Sequence, residues 1–131
     1  HTLYRDNMDK FEKMYSIQEK FTKEFFDENE GYDISEIPND KAKRIFWSKD
    51  YILMLIKEVT EMLDEIDFKS HKSKTTEDDL DNFLEEGIDV MKYLLGLLII
   101  NGFSVDEIYN KFISKSKLVE QKFKQEPNAW L

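Results

Sequence analysis

The chain has 131 residues, 28 of them acidic and 19 basic for a net charge of −9, with four glycines, two prolines and no cysteine. That size sets a single domain over residues 1–131, and the shortage of turn residues favours helices over strands. Disulfides, thiolate zinc sites and cysteine nucleophiles are excluded, in keeping with a cytoplasmic protein, and the acidic excess argues against a partner read along a nucleic-acid backbone.

Apolar residues recur at helical spacing in four segments, and none alternates as a strand would. The first helix is expected from about Asp6 to Glu28, with Met8, Phe11, Tyr15, Phe21 and Phe25 as its core stripe. Glu30-Gly31-Tyr32 ends it, and a connector with Ile34, Ile37 and Pro38 follows. Asn39 is the expected N-cap of a second helix from Asp40 to Phe68, whose stripe is Phe46, Ile52, Leu55, Val59, Met62 and Ile66. A polar stretch from Lys69 leads to Thr75 or Thr76, either of which can cap a third helix that stops at Asn101-Gly102. Ser104-Val105-Asp106-Glu107 is a capping box for the fourth helix, and Pro127 stops it. Short connections between four helices give an all-α, antiparallel four-helix bundle. Its most apolar run, Tyr93 to Ile100, is far below the ~20 residues of a membrane span, so no membrane association is expected.

The third helix is apolar on two sides. Leu84, Ile88, Met91, Leu95 and Ile99 lie along one, and Phe83, Val90, Tyr93, Leu97 and Ile100 along the other. Such a helix belongs at the centre of a bundle and at a subunit interface together, so the chain is expected to dimerise through the bundle.

Within that apolar surface stand two acids. Glu86 and Asp89, three residues apart, are neighbours on one helix face. Glu58 and Glu61 have the same spacing on the second helix, flanking Leu55, Val59 and Met62. Acid-x-x-acid spacing is common in this chain, as in Asp6/Asp9, Asp27/Glu30 and Asp33/Glu36, and most such pairs mark solvated faces. The run Glu77, Asp78, Asp79 and Asp81 opens the third helix, where acids meet the positive end of the helix dipole and need no function. The pairs on the second and third helices differ because they sit against apolar stripes, where uncompensated carboxylates would be costly. Antiparallel packing would converge all four, and an oxygen-only set without His or Cys suits Mg²⁺, with Mn²⁺ as a substitute.

The order Glu58-x-x-Glu61 followed by Glu86-x-x-Asp89 resembles the E-x-x-E … E-x-x-D pattern of the all-α nucleoside triphosphate pyrophosphatases, the superfamily of MazG-like enzymes and dimeric dUTPases. The segment Met14 to Phe21 is similar to the first-helix motif of the dimeric dUTPases, and Phe68-Lys69-Ser70-His71-Lys72 to their F-K-x-W-K segment. The sequence departs from the family pattern in having Thr22 for an Asn, His71 for a Trp, and only an echo of the fourth-helix motif in Phe112, Lys115, Val119 and Lys122.

The resemblance implies Mg²⁺-dependent hydrolysis of dUTP or a related dNTP to the monophosphate and pyrophosphate. Glu58, Glu61, Glu86 and Asp89 would hold the metal, with Glu58 or Glu61 taking a proton from the attacking water. Gln18 would read the base and Trp47 or Phe21 would stack on it. Lys69, Lys72, Lys115 and Lys122 would face the phosphates. Each also has an ordinary reading: Gln18 as a packing residue, Trp47 as a core anchor, the lysines as solvated or surface-paired. Two other readings stay open, a dCTP or modified-dNTP pyrophosphatase and a non-catalytic acidic helical interaction module.

Overall fold

The computed structural model describes residues 9–67 and 76–130. Four helices follow in order: α1 Lys10–Asn29, α2 Lys41–Asp67, α3 Thr76–Ile100 and α4 Val105–Gln125, with short 3₁₀ turns at Ile34–Glu36 and Pro127–Trp130. No strand occurs among the described residues. The molecule is an all-α four-helix bundle whose closest packing is between α2 and α3, with α1 laid against α3.

The helix ends follow local chemistry. Asp9 accepts the Glu12 backbone N–H at 2.8 Å and starts α1, later than the expected start; the expected residues Asp6 to Met8 lie outside the described residues. The N-cap of α2 is Asp40 rather than Asn39. The Asp40 carboxylate accepts from Lys43 N at 3.1 Å, and its carbonyl accepts from Arg44 N. Asp40 N itself donates to Ile37 O at 3.1 Å, which keeps Asn39 in the preceding turn. Thr76 is already inside α3, while Thr75 and Phe68 lie outside the described residues. The Ser104 capping box forms as the sequence suggests, with Ser104 Oγ accepting from Glu107 N and Glu107 Oε1 accepting from Ser104 N.

Between α3 and α4 the chain turns on Gly102, at φ +86°. Its N–H donates to Ile99 O at 2.9 Å and Phe103 N–H to Leu98 O at 3.2 Å, a left-handed helix stop that favours glycine. The Tyr15 hydroxyl donates to Phe103 O at 2.8 Å and ties α1 to this turn. The turn sends α4 away at a bend of 112° from α3.

The fully buried core is Phe26, Ile37 and Ile100, with Tyr32, Ile34, Trp47 and Tyr51 packed around it. The Phe26 ring meets Trp47 edge-on with centroids 4.8 Å apart. The core thus sits where the end of α1, the connector, the start of α2 and the end of α3 meet. Along α1 the buried line is Tyr15, Gln18, Thr22 and Phe26. The expected stripe is therefore corrected: Phe21 is 59% exposed and Phe25 borders solvent too, because α1 turns the next face of its helix toward α3.

Up to its last two turns, where Leu95 and Ile99 are also covered, helix α3 is covered on one side within a single chain. Val90, Tyr93 and Leu97 face inward, half-buried, whereas Leu84, Ile88 and Met91 on the other side are exposed. Phe46, Leu53 and Ile56 of α2 and Phe112 and Phe123 of α4 are exposed as well. No described helix is by itself long and apolar enough to cross a membrane.

Candidate functional site

The α2/α3 pair fixes the site by its register. Ser48 accepts a hydrogen bond from Asn101 Nδ2 at 3.0 Å. Tyr51 stands against Gly96, and Met62 against Gly87. Residue numbers rise on one helix as they fall on the other, so the helices are antiparallel and Glu58 and Glu61 come opposite the Glu86–Val90 turn. Gly96 permits the close approach: a Cβ there would stand 2.9 Å from Tyr51 Cε2 and 3.6 Å from Gln18 Nε2.

One carboxylate oxygen from each of Glu58, Glu86 and Asp89 lies within 4.8 Å of the others. Glu61 stands beside this triad, close enough to act on both Glu58 and Glu86. Among the described residues no lysine or arginine pairs with any of the four. Glu58 Oε2 and Glu86 Oε2 are enclosed with no hydrogen-bond donor. Burial, then the neighbouring Glu61 with the charges of Asp89 and Glu86, pushes the Glu58 carboxyl above its ordinary range. Burial followed by the charges of Glu61 and Asp89 does the same to Glu86. Enclosed carboxylate oxygens lacking donors, in an all-oxygen set, are the surroundings a hard divalent cation relieves. The residues present therefore fit such an ion.

Beside the triad opens a cavity of about 410 Å³, sharing Asp89 with it. Gln18, Phe21 and Phe25 of α1, Trp47, Asp50, Tyr51 and Met54 of α2, and Lys92 and Tyr93 of α3 complete its wall. Gln18 is 6% exposed, and its Oε1 is enclosed without a hydrogen-bond partner. The Thr22 hydroxyl donates to Gln18 O at 2.7 Å and is occupied with its own helix. Tyr51 and Tyr93 meet edge-on with centroids 6.0 Å apart. Burial foremost, then the charges of Tyr93 and Asp50, pushes the Tyr51 hydroxyl up to about 12. Burial, then the charges of Glu58, Asp50, Asp89 and Glu61, raises Tyr93 too, so both phenols stay protonated.

Of the residues singled out from sequence, Gln18, Phe21, Trp47 and Asp89 line this cavity. Trp47 is also anchored in the core, its Nε1 donating to the Tyr32 hydroxyl at 2.7 Å. Lys69, His71 and Lys72 lie outside the described residues. Lys115 lines a separate apolar groove along α4, with Phe112, Val119 and Phe123, and Lys122 lies exposed on the same helix. The cavity beside the acids takes no residue from α4. Sequence reading missed Asp50, Tyr51, Lys92 and Tyr93 as wall residues. Helical spacing carries the signal: Tyr51 and Met54 continue the Glu58 face, and Lys92 and Tyr93 the Asp89 face.

The E-x-x-E pair of α2 and the E-x-x-D pair of α3 thus face each other across an antiparallel hairpin, the arrangement expected from the resemblance to the all-α nucleoside triphosphate pyrophosphatases. The model of the dUTPase family matches residues 10–129, and the chain belongs to that family. No curated protein and no solved structure matches it.

Proposed function

We propose that the protein hydrolyses a deoxynucleoside triphosphate, dUTP or a close relative, to the monophosphate and pyrophosphate with Mg²⁺. The observation that carries this reading is the convergence of the Glu58, Glu86 and Asp89 oxygens beside a cavity containing the unpartnered Gln18 Oε1. Glu58, Glu86 and Asp89, with Glu61 adjoining, are the residues that would hold the cation. When bound there, a divalent ion stabilises charge on phosphoryl oxygens and makes water a better nucleophile.

The chain's own groups then have separate tasks. Glu58 or Glu61 accepts the proton of the attacking water. Gln18 Oε1 is an acceptor that lacks a donor, a need met by the N3–H of uracil or the exocyclic amine of cytosine. The rings of Trp47, Phe21 and Phe25 offer apolar walls to a base. Lys69, Lys72, Lys115 and Lys122 remain proposed phosphate contacts. For Lys115 and Lys122, α4 must be brought to the acids by a second chain.

A homodimer is proposed on the same ground, since the exposed apolar faces of α2, α3 and α4 would be covered by a second copy. Light scattering on the purified protein tests it: twice the 15.8 kDa chain mass is expected, and a monomer at micromolar concentration would contradict it.

The activity test is pyrophosphate release from a panel of dNTPs and NTPs, with Mg²⁺ and with EDTA. Wild type should release pyrophosphate from a pyrimidine deoxynucleotide only with Mg²⁺, and Glu58→Gln should lower kcat by about 10²–10⁴-fold. Equal rates in wild type and Glu58→Gln would overturn the assignment.

A further inference from the structure

All four lysines assigned to phosphates from sequence are on α4 or in the segment after α2, yet among the described residues the cavity wall contains one cation of its own. Lys92 lies one helical turn beyond Asp89 on α3 and lines the same cavity as Gln18, Asp50 and Tyr93. Asp89 belongs both to this wall and to the carboxylate triad. Lys92, an exposed residue, therefore lines the cavity that adjoins the triad through Asp89. Its spacing from Asp89 would suit a routine surface ion pair, but the structure shows none, with Asp89 or with Asp50. An unpaired ammonium in an acidic neighbourhood fits an anion that arrives with the ligand.

We propose that Lys92 binds the α-phosphate, the phosphate attached to the sugar of the nucleotide, which must lie between a base beside Gln18 and the departing β- and γ-phosphates. The assignment rests on the nucleotide reading given above and deepens it. The carboxylates, with the cation they would hold, would take the α–β linkage that breaks and the pyrophosphate that leaves. Lys92 supplies a charge-assisted contact to the phosphate that remains on the product. It is thereby a substrate-binding residue for the monophosphate as well as the triphosphate.

The test is calorimetric binding of dUMP and dCMP, and of the matching nucleosides, with Mg²⁺ present, to wild type, Lys92→Met and Lys92→Arg. Neither ligand is turned over, so binding is read apart from activity. Wild type should bind the monophosphate more tightly than the nucleoside. Lys92→Met should weaken the monophosphate at least tenfold and leave the nucleoside unchanged, and Lys92→Arg should restore most of the loss. Undiminished monophosphate binding by Lys92→Met would overturn the assignment, as would equal losses for monophosphate and nucleoside, which mark a structural role. Wild type that binds no nucleotide and releases no pyrophosphate would instead bring down the underlying reading of the reaction.

Discussion

Replacing Glu58 by glutamine should make the Mg²⁺-free protein more stable and remove most of its response to Mg²⁺. Glu58, Glu86 and Asp89 hold three oxygens within 4.8 Å of one another. Even through a water-like medium, each such pair repels by roughly 0.9 kcal/mol. Glu58→Gln deletes two of the three repulsions and brings an amide donor next to the enclosed Glu86 oxygen. The gain is about 2 kcal/mol, which for a chain of this size raises Tm by roughly 6–10 °C. In wild type, Mg²⁺ at 100 times its dissociation constant should add about 2.7 kcal/mol, and the variant should recover only a small part of that. Thermal unfolding in EDTA and in millimolar Mg²⁺, for both proteins, provides the four melting points required. A variant that melts below wild type in EDTA, or keeps the whole Mg²⁺ gain, would refute the account of the triad as a strained cation site.

The same cluster sets a pH dependence. Glu58 and Glu86 both have native pKa values raised above 4.5, so their favourable contribution is complete below that value and lost as pH rises through the native pKa. Mg²⁺-free protein should therefore melt higher near pH 5 than near pH 7, and Glu58→Gln should flatten that slope; a wild-type Tm that rises toward pH 7 would contradict it. Gly96→Ala places a Cβ 2.9 Å from the Tyr51 ring. The overpacking, about 1–3 kcal/mol, should outweigh the roughly 1 kcal/mol that alanine adds as a helix former; a higher urea midpoint than wild type would argue against the close α2/α3 contact. Phe26→Ala empties a fully buried position between Tyr32 and Trp47 and should cost about 3–5 kcal/mol by urea titration.

Much of the helical framework is legible in the chain alone. The capping box at Ser104, the stop at Gly102 and the pairing of Glu58 with Glu61 and of Glu86 with Asp89 all depend on spacings within one or two helical turns. Hydrogen bonding and the 3.6-residue repeat are local, so sequence reports them directly. The same locality limits it. Nothing in spacing distinguishes the Asp33/Glu36 pair from Glu86/Asp89 once apolar neighbours are set aside. Tertiary packing does so, because the α2/α3 register places Glu58 opposite Glu86 and Asp89.

The face that α1 buries, through Gln18 and Thr22 rather than Phe21, is likewise a matter of what packs against it. So is the departure of α4, with Lys115 and Lys122, from the cavity of its own chain. Lys92 is the sharpest instance. In sequence it is one lysine among many on amphipathic helices, and only the approach of α1 and α2 to α3, permitted at Gly96, makes it part of a cavity wall. Sequence determined which residues share a helix face; the distance between faces, on which the chemistry of carboxylates and cations depends, was decided by the fold.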